Sequence, residues 1–285
     1  MTLPLGYLTI NLDPIAGHIG PLTIHWYGVI MGFATLVGCA IFARQMQRRG
    51  LGTEHAYGIM LISIPLGIIG ARLVHVLDDA GYFWHHPGQI FGTQLVGLAI
   101  YGVIAGGCAG LIIYCRWKRL SILRVLDCTA LAFPAAQIIG RCANIINGDT
   151  WGYRTHLPWG IVYTNPHAFL PPSLLGVPTQ PTPIYEQIWL AVMLGILLWL
   201  VPRLKVDGLA FLAYVALYSF GRIFISIFRV NNVLFLGLRE AQLIALAVLL
   251  LSGPAAWWLV HRHAASVARN SSELAEGDHE TGRGR

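Results

Sequence analysis

Charge is scarce in this sequence. Only 11% of residues are charged and 55% are hydrophobic, whereas an average soluble domain carries about 25% charged residues. A water-soluble fold of 285 residues would need more charge to cover its surface, so an ordinary cytosolic enzyme is excluded. Other absences narrow the class further. The five cysteines, Cys39, Cys108, Cys115, Cys128 and Cys142, form no CxxC pair and lie in or beside apolar stretches. That argues against disulfide and zinc frameworks. The opening MTLPLGYLTINLDP lacks a basic n-region and a cleavage motif, so no cleaved signal peptide is expected. There is no GxSxG, no HExxH and no DxxD-type metal motif. Neither a covalent nor a metal mechanism is therefore suggested, and no cofactor is expected. No internal repeat is present, which weakens an inverted-repeat transporter reading.

What is present is long apolar runs, with a mean hydropathy of +0.61. Seven of them, near 24–43, 57–77, 95–115, 125–145, 184–202, 209–228 and 240–260, are long enough to cross a hydrocarbon core, which takes about 20 helical residues. The expected fold is an all-α integral membrane protein with seven transmembrane helices. Residues 1–263 form its membrane domain, with a small extracytoplasmic cap at 146–183, and 264–285 form a polar, aperiodic tail expected to be disordered. Pro65 and Pro134 fall inside spans and predict kinks.

The basic residues set the orientation. Thirteen of the 19 lie in the 44–56, 116–124 and 203–208 loops and after residue 260, whereas the alternate loops hold few. The positive-inside rule then predicts an outside N-terminus and a cytoplasmic C-terminus. The net charge of +6 is explained by this topology, and no nucleic-acid partner is expected.

Three arginines remain, Arg72, Arg141 and Arg222, each inside an apolar span. A charge at mid-bilayer costs at least about 2.5–3.5 kcal/mol on the most lenient scale. Snorkelling from a helix end is the bland explanation, but each arginine has polar companions at helical spacing. Gln137, Arg141 and Asn144 are spaced i, i+4, i+7. Tyr218, Arg222 and Ser226 follow i, i+4, i+8, with Arg229 continuing the stripe. Arg72, His75 and Asp79 follow i, i+3, i+7. Such stripes on apolar helices face a bundle interior. All three arginines are expected at outer-leaflet depth, where His25, Trp26, Tyr27, Tyr101, Tyr185 and Glu186 also open or approach their spans. Trp26 and Tyr27 also suit an interfacial aromatic belt. Glu186 is expected to pair with one of the arginines, since an unpaired carboxylate there is costly. Gly102, Gly106 and Gly110 repeat every four residues and predict close helix packing rather than chemistry.

A cluster of arginines at that depth suits the phosphate of an anionic lipid headgroup, because guanidinium is a rigid fork of donors. An anion or phospholipid transporter would use the same cavity. It would need matching polar residues in the cytoplasmic half, where only Arg124 and Asp127 stand. A receptor or scaffold would need a longer cytoplasmic portion than this tail.

Beyond this point the residues speak through resemblance. The run from Gly140 through Arg141, Cys142, Ala143, Asn144, Ile145, Ile146, Asn147, Gly148, Asp149, Thr150 and Trp151 to Gly152 closely resembles the signature of prolipoprotein diacylglyceryl transferases, GR-x-x-N-x-x-N-G-E-x-W-G. Further landmarks match in order: His25-Trp26-Tyr27-Gly28, Gly70-Ala71-Arg72, Ile100-Tyr101-Gly102, Pro183-Ile184-Tyr185-Glu186, and Tyr218 through Arg222 to Arg229. The resemblance covers about residues 20–260.

It implies transfer of the diacylglyceryl group of phosphatidylglycerol to the lipobox cysteine in prolipoprotein signal peptides, in the bacterial inner membrane. By resemblance, Arg141 and Asn144 hold the headgroup phosphate, and Arg222 stabilises the departing phosphate or the thiolate. Tyr27 shapes the lipid pocket, and Asp149 and Gly152 order the loop over it. Arg72, Asn147, Glu186, Tyr218 and Arg229 complete the expected binding set. Tyr101 stands where the family often has histidine, Asp149 where it has glutamate, and Ser226 where it often has a further glutamate. Tyrosine, with a pKa near 10, is a poor base at neutral pH, so Tyr101 is expected to donate a hydrogen bond rather than to accept a proton.

Overall fold

The structure is a computed structural model that describes residues 6–20, 22–91, 100–230, 233–235 and 237–282. Eight α-helices dominate them: α1 (Trp26–Arg48), α2 (Thr53–Asp78), α3 (Ala80–His85), α4 (Ile100–Trp117), α5 (Ile122–Asn147), α6 (Thr182–Leu200), α7 (Leu209–Ile225) and α8 (Glu240–Gly282). Six helices are long and apolar enough to cross a membrane: α1, α2, α4, α5, α6 and α8. The seventh, α7, is apolar but shorter, with 17 residues, or about 25 Å at 1.5 Å per residue. The chain is thus a mostly helical membrane protein.

Boundaries differ from the apolar runs by a few residues at most helices, and the following differences are informative. The run 209–228 overshoots α7, which ends at Ile225 because the following backbone leaves the helix to bridge another segment. The start of the 95–115 run lies outside the described residues, which resume within α4 at Ile100. α6 opens two residues earlier than expected, with Pro183 in its first turn, where a missing N–H costs nothing. Finally, α8 continues through the stretch expected to be a disordered tail. Its local cause is composition: between Pro254 and Gly277 there is no glycine or proline, and alanine, arginine, leucine and glutamate favour helix.

The chain divides into two compact units, Cys39–Cys128, and Met1–Gly38 with Thr129–Arg285. In the first, α2 and α4 pack backbone to backbone. A β-carbon on Gly102 would run into Gly70 O, one on Gly106 into Leu66 O, and one on Gly110 would sit 2.6 Å from Ser63 Cα. Absent side chains let these helices touch. Arg49 Nη1 pairs with Asp127 Oδ2 at 3.0 Å, and His55 Nδ1 lies 3.1 Å from the Tyr114 hydroxyl. Arg72 and Tyr101 belong to this unit. Arg72 donates to Gln89 O and stands over the Phe83 ring, 5.6 Å from its centre. Tyr101 is half exposed at the start of α4.

The second unit joins α6, α7 and α8 to short strands. β1 (Leu8–Ile10) pairs in parallel with β4 (Ile161–Tyr163), and β2 (Ile15–Ile19) forms a hairpin with β3 (Leu22–His25). A second hairpin joins β5 (Val233–Phe235) and β6 (Leu238–Arg239). The segment 146–183 is threaded by backbone bonds and buries Ile161, Val162 and Tyr163. Tyr163 closes it onto α5 by donating to Ile145 O at 2.9 Å. Burial, and then the nearby Asp149 carboxylate, push the Tyr163 pKa up. Asp13 accepts from Ile15 N–H and lies 2.8 Å from His167 Nδ1, tying the first residues to this segment.

Candidate active site

One carboxylate organises the second unit. Glu186, in the first turns of α6, is 5% exposed. Arg141 Nε from α5 lies 2.9 Å from its Oε2, Arg222 Nη1 from α7 pairs with Oε1, and Arg229 Nη1 lies 3.5 Å from Oε1. Three guanidiniums meet this one carboxylate, and with Asp149 tied to Arg141 through Asn144 the cluster keeps a positive excess. Glu186 was expected to meet one arginine; it meets three.

Arg141 reaches inward because its stripe faces the interior. Its Nη1 donates to Asn144 Oδ1 at 3.1 Å, and Asn144 Nδ2 donates to Asp149 Oδ1 at 2.9 Å. Thr150 also donates to that oxygen, and Thr182 donates to Thr150 O at 2.8 Å. A chain of bonds therefore runs from the arginine through the loop to the start of α6. The turn that begins the loop is at Gly148, whose φ of 74° is left-handed and suits a helix C-terminus. Asn147 is nearly buried and its carbonyl accepts Phe169 N–H at 2.8 Å. Tyr27, at the start of α1, lies within electrostatic reach of both Asp149 and Arg141.

Arg222 stands in the last turn of α7, whereas Arg229 is not helical. The expected helical stripe breaks after Ile225. Arg229 reaches Glu186 because its backbone bridges Gly152 in antiparallel register, which also explains why Gly152 must be small. A β-carbon there would meet Gln180 Cβ and Phe228 O at 2.6 Å. Burial, and then the neighbouring Arg222, push the Arg229 pKa down.

Arg141, Glu186, Trp189, Leu190, Tyr218, Arg222 and Ile225 line a small cavity of about 10 Å³, room for about one water. Two of its polar atoms are unsatisfied. Arg141 Nε and Glu186 Oε2 are close enough to attract, yet the N–H is not aimed at the oxygen, so neither makes a hydrogen bond. Buried polar groups are normally bonded, so the exceptions mark a place where another partner fits. Beyond Trp189 and Ile225 opens a groove of about 510 Å³, lined by Tyr185, Ile188, Val192, Phe220, Gly221 and Phe224. Gly221 leaves room for the Trp189 ring, whose Nε1 donates to Leu217 O at 3.1 Å.

The charged cavity and the apolar groove share Trp189 and Ile225 as lining residues. The prolipoprotein diacylglyceryl transferase family model matches residues 14–258. The chain belongs to this family. It is 36% identical over 247 residues to the phosphatidylglycerol–prolipoprotein diacylglyceryl transferase of Dehalococcoides mccartyi (strain BAV1), covering 86% of this chain and 93% of that protein. It is 34% identical over 235 residues to the enzyme of the same name from Clostridioides difficile (strain 630), covering 82% and 90%. A Nostoc relative with that name matches at 32% over 270 residues, 92% of this chain and 94% of its own.

Of the family-type residues expected in the site, the second unit brings together Arg141, Asn144, Asp149, Gly152, Glu186, Tyr218, Arg222 and Arg229, with Tyr27 and Asn147 at its margin. Arg72 and Tyr101 lie in the first unit. Among the described residues, no three His, Cys, Asp or Glu side chains gather as a metal-ligand set. Sequence reasoning missed Arg239, Gln242 and Tyr153, which surround the Arg229 segment. Arg239 and Gln242 are spaced i, i+3 where α8 opens, a signal of local side-chain capping.

Proposed function

We propose that the chain transfers the diacylglyceryl group of phosphatidylglycerol to the lipobox cysteine of prolipoproteins, forming a thioether and releasing glycerol phosphate. The observation that carries this reading is the convergence of Arg141, Arg222 and Arg229 on Glu186, with Arg141 Nε and Glu186 Oε2 left without hydrogen bonds.

The lipid phosphate replaces part of the Glu186 interaction and takes bidentate bonds from Arg141, which Asn144 orients. The acyl chains lie along the groove beside Trp189. The cysteine sulfur attacks the glyceryl carbon. The carbon–oxygen bond breaks, its electron pair leaves with glycerol phosphate, and the thiol proton is lost to solvent. Negative charge gathers on the departing phosphate, where Arg222 and Arg229 are already in place and need no reorganisation. The same positive field favours the thiolate. Tyr101 is assigned a donor role through its hydroxyl. Seven spans, with α7 the short one, an outside N-terminus and a cytoplasmic C-terminus put the site at the outer face of the bacterial inner membrane. The basic loops support this orientation, and residues 264–285 serve as a cytoplasmic tail.

The test is transfer from labelled phosphatidylglycerol vesicles to a lipobox peptide. Label appears on the cysteine peptide and is absent from its Cys→Ser version. Movement of lipid across the vesicle without peptide labelling would favour a transporter.

A further inference from the structure

The backbone carrying Arg229 is held from two sides. On one side Gly152 bridges Arg229, and Tyr153 N–H donates to Phe228 O at 3.1 Å. On the other stands Arg239, the last residue of β6. Its Nη1 donates to Ser226 O, and its Nη2 donates to the Tyr153 hydroxyl at 3.0 Å. The guanidinium also stands over the Tyr153 ring, 5.5 Å from its centre, within the range of cation–π attraction. One helical turn on, Gln242 donates to Ile223 O at 3.0 Å and accepts Arg239 N–H at 3.1 Å. The last carbonyls of a helix have no partner within it. At the end of α7 two of them, Ile223 O and Ser226 O, are satisfied by side chains of the opening of α8 and the strand before it. Ser226 itself is fully buried.

We infer that Arg239 is a positioning residue for transfer. It does not line the arginine cavity. It fixes the turn between Arg222 and Arg229, so that one cation at the end of α7 and one beyond it meet the same carboxylate. Only a planar fork serves Ser226 O and the Tyr153 hydroxyl at once; a lysine ammonium on its flexible stem cannot hold both. Gln242 supports the same turn from the helix side. The inference rests on the transfer reading above.

The test uses full-length protein in phosphatidylglycerol vesicles with a lipobox peptide, measuring kcat, KM for peptide, and hydrogen exchange over residues 223–230. Arg239→Ala should lower kcat about 100-fold, the scale of an ångström-sized misplacement. KM should stay within about threefold, because ground-state binding is not what is lost. Exchange should quicken over 223–230 and stay unchanged in α5. Arg239→Lys should recover less than a tenth of the loss. Normal kcat in Arg239→Ala overturns the inference, as does faster exchange throughout the unit, which signals a merely structural role. If that variant does not fold, Gln242→Leu and Tyr153→Phe decide. A kcat loss at constant KM supports the role, and unchanged kcat overturns it. A wild-type protein that labels no peptide would overturn the transfer reading itself, an outcome distinct from all of these.

Discussion

The α2–α4 interface and the Glu186 cluster solve opposite problems. Where α2 meets α4, the information lies in what is missing. Gly70, Gly102 and Gly106 have no side chains, and the backbones occupy that space. Around Glu186 the information lies in what is costly, since three guanidiniums are kept in a chain with little charge. Packing of the first kind stabilises a bundle and is indifferent to charge. The second kind accepts a local cost that only a ligand or a reaction repays. Change at the two places should therefore fail in different ways.

The largest effect falls on the cluster. Arg141→Ala should lower transfer by about 1000-fold, the upper range for losing one preorganised donor, while the protein still inserts. Loss of insertion instead would make Arg141 a packing residue like the glycines. Glu186→Gln comes next. Removing one partner of a buried ion pair costs about 3 kcal/mol, so the melting temperature in bicelles should fall. Added inorganic phosphate should raise it more in the variant than in the wild type, because an anion replaces the lost carboxylate. An equal response would mean that the arginines are not an anion site.

Gly106→Ala tests the other side. Its β-carbon meets Leu66 O, and overpacking of this sort costs about 1–3 kcal/mol. Stability and yield should drop, with no change in the phosphate response. The smallest effect is pH-linked. Bonding from Ile15 N–H, and then from His167, holds the Asp13 carboxyl below its ordinary range. A lowered carboxylate pKa stabilises above the unfolded value, about 3.9, and the gain is lost as pH falls through the folded value. The melting difference between wild type and Asp13→Asn should thus persist at neutral pH and close below about pH 4. A difference that grows on acidification would contradict the pairing.

Much of this was legible in the residues. Helical spacing put Arg141 and Asn144 on one face, and they are bonded. The glycine spacing in α4 predicts a close helix approach, but not that the partner is α2. The spacing puts Arg229 on a helical stripe with Arg222, but it meets Glu186 from a non-helical segment, through a bridge to Gly152 that no periodicity reveals. Strands of three residues such as β1 and β4 are too short to show alternation, and their parallel pairing joins positions more than 150 apart. Glu186 as a shared partner was hidden because sequence spacing reports faces of single helices, not which faces converge. Arg239 looked like an ordinary loop cation until its three-way contact with Ser226, Tyr153 and Gln242 was seen.

Whether Arg141 acts as a two-pronged phosphate donor held by Asn144 and Asp149, and not as a mere positive charge, is decided by its lysine variant. Arg141→Lys keeps the charge and removes the fork. Its turnover should be measured with labelled phosphatidylglycerol and a lipobox peptide, beside wild type and Arg141→Ala. The account predicts that the lysine variant stays within about tenfold of the alanine variant, far below wild type. Near-normal turnover with lysine would contradict it, leaving charge alone as the cause.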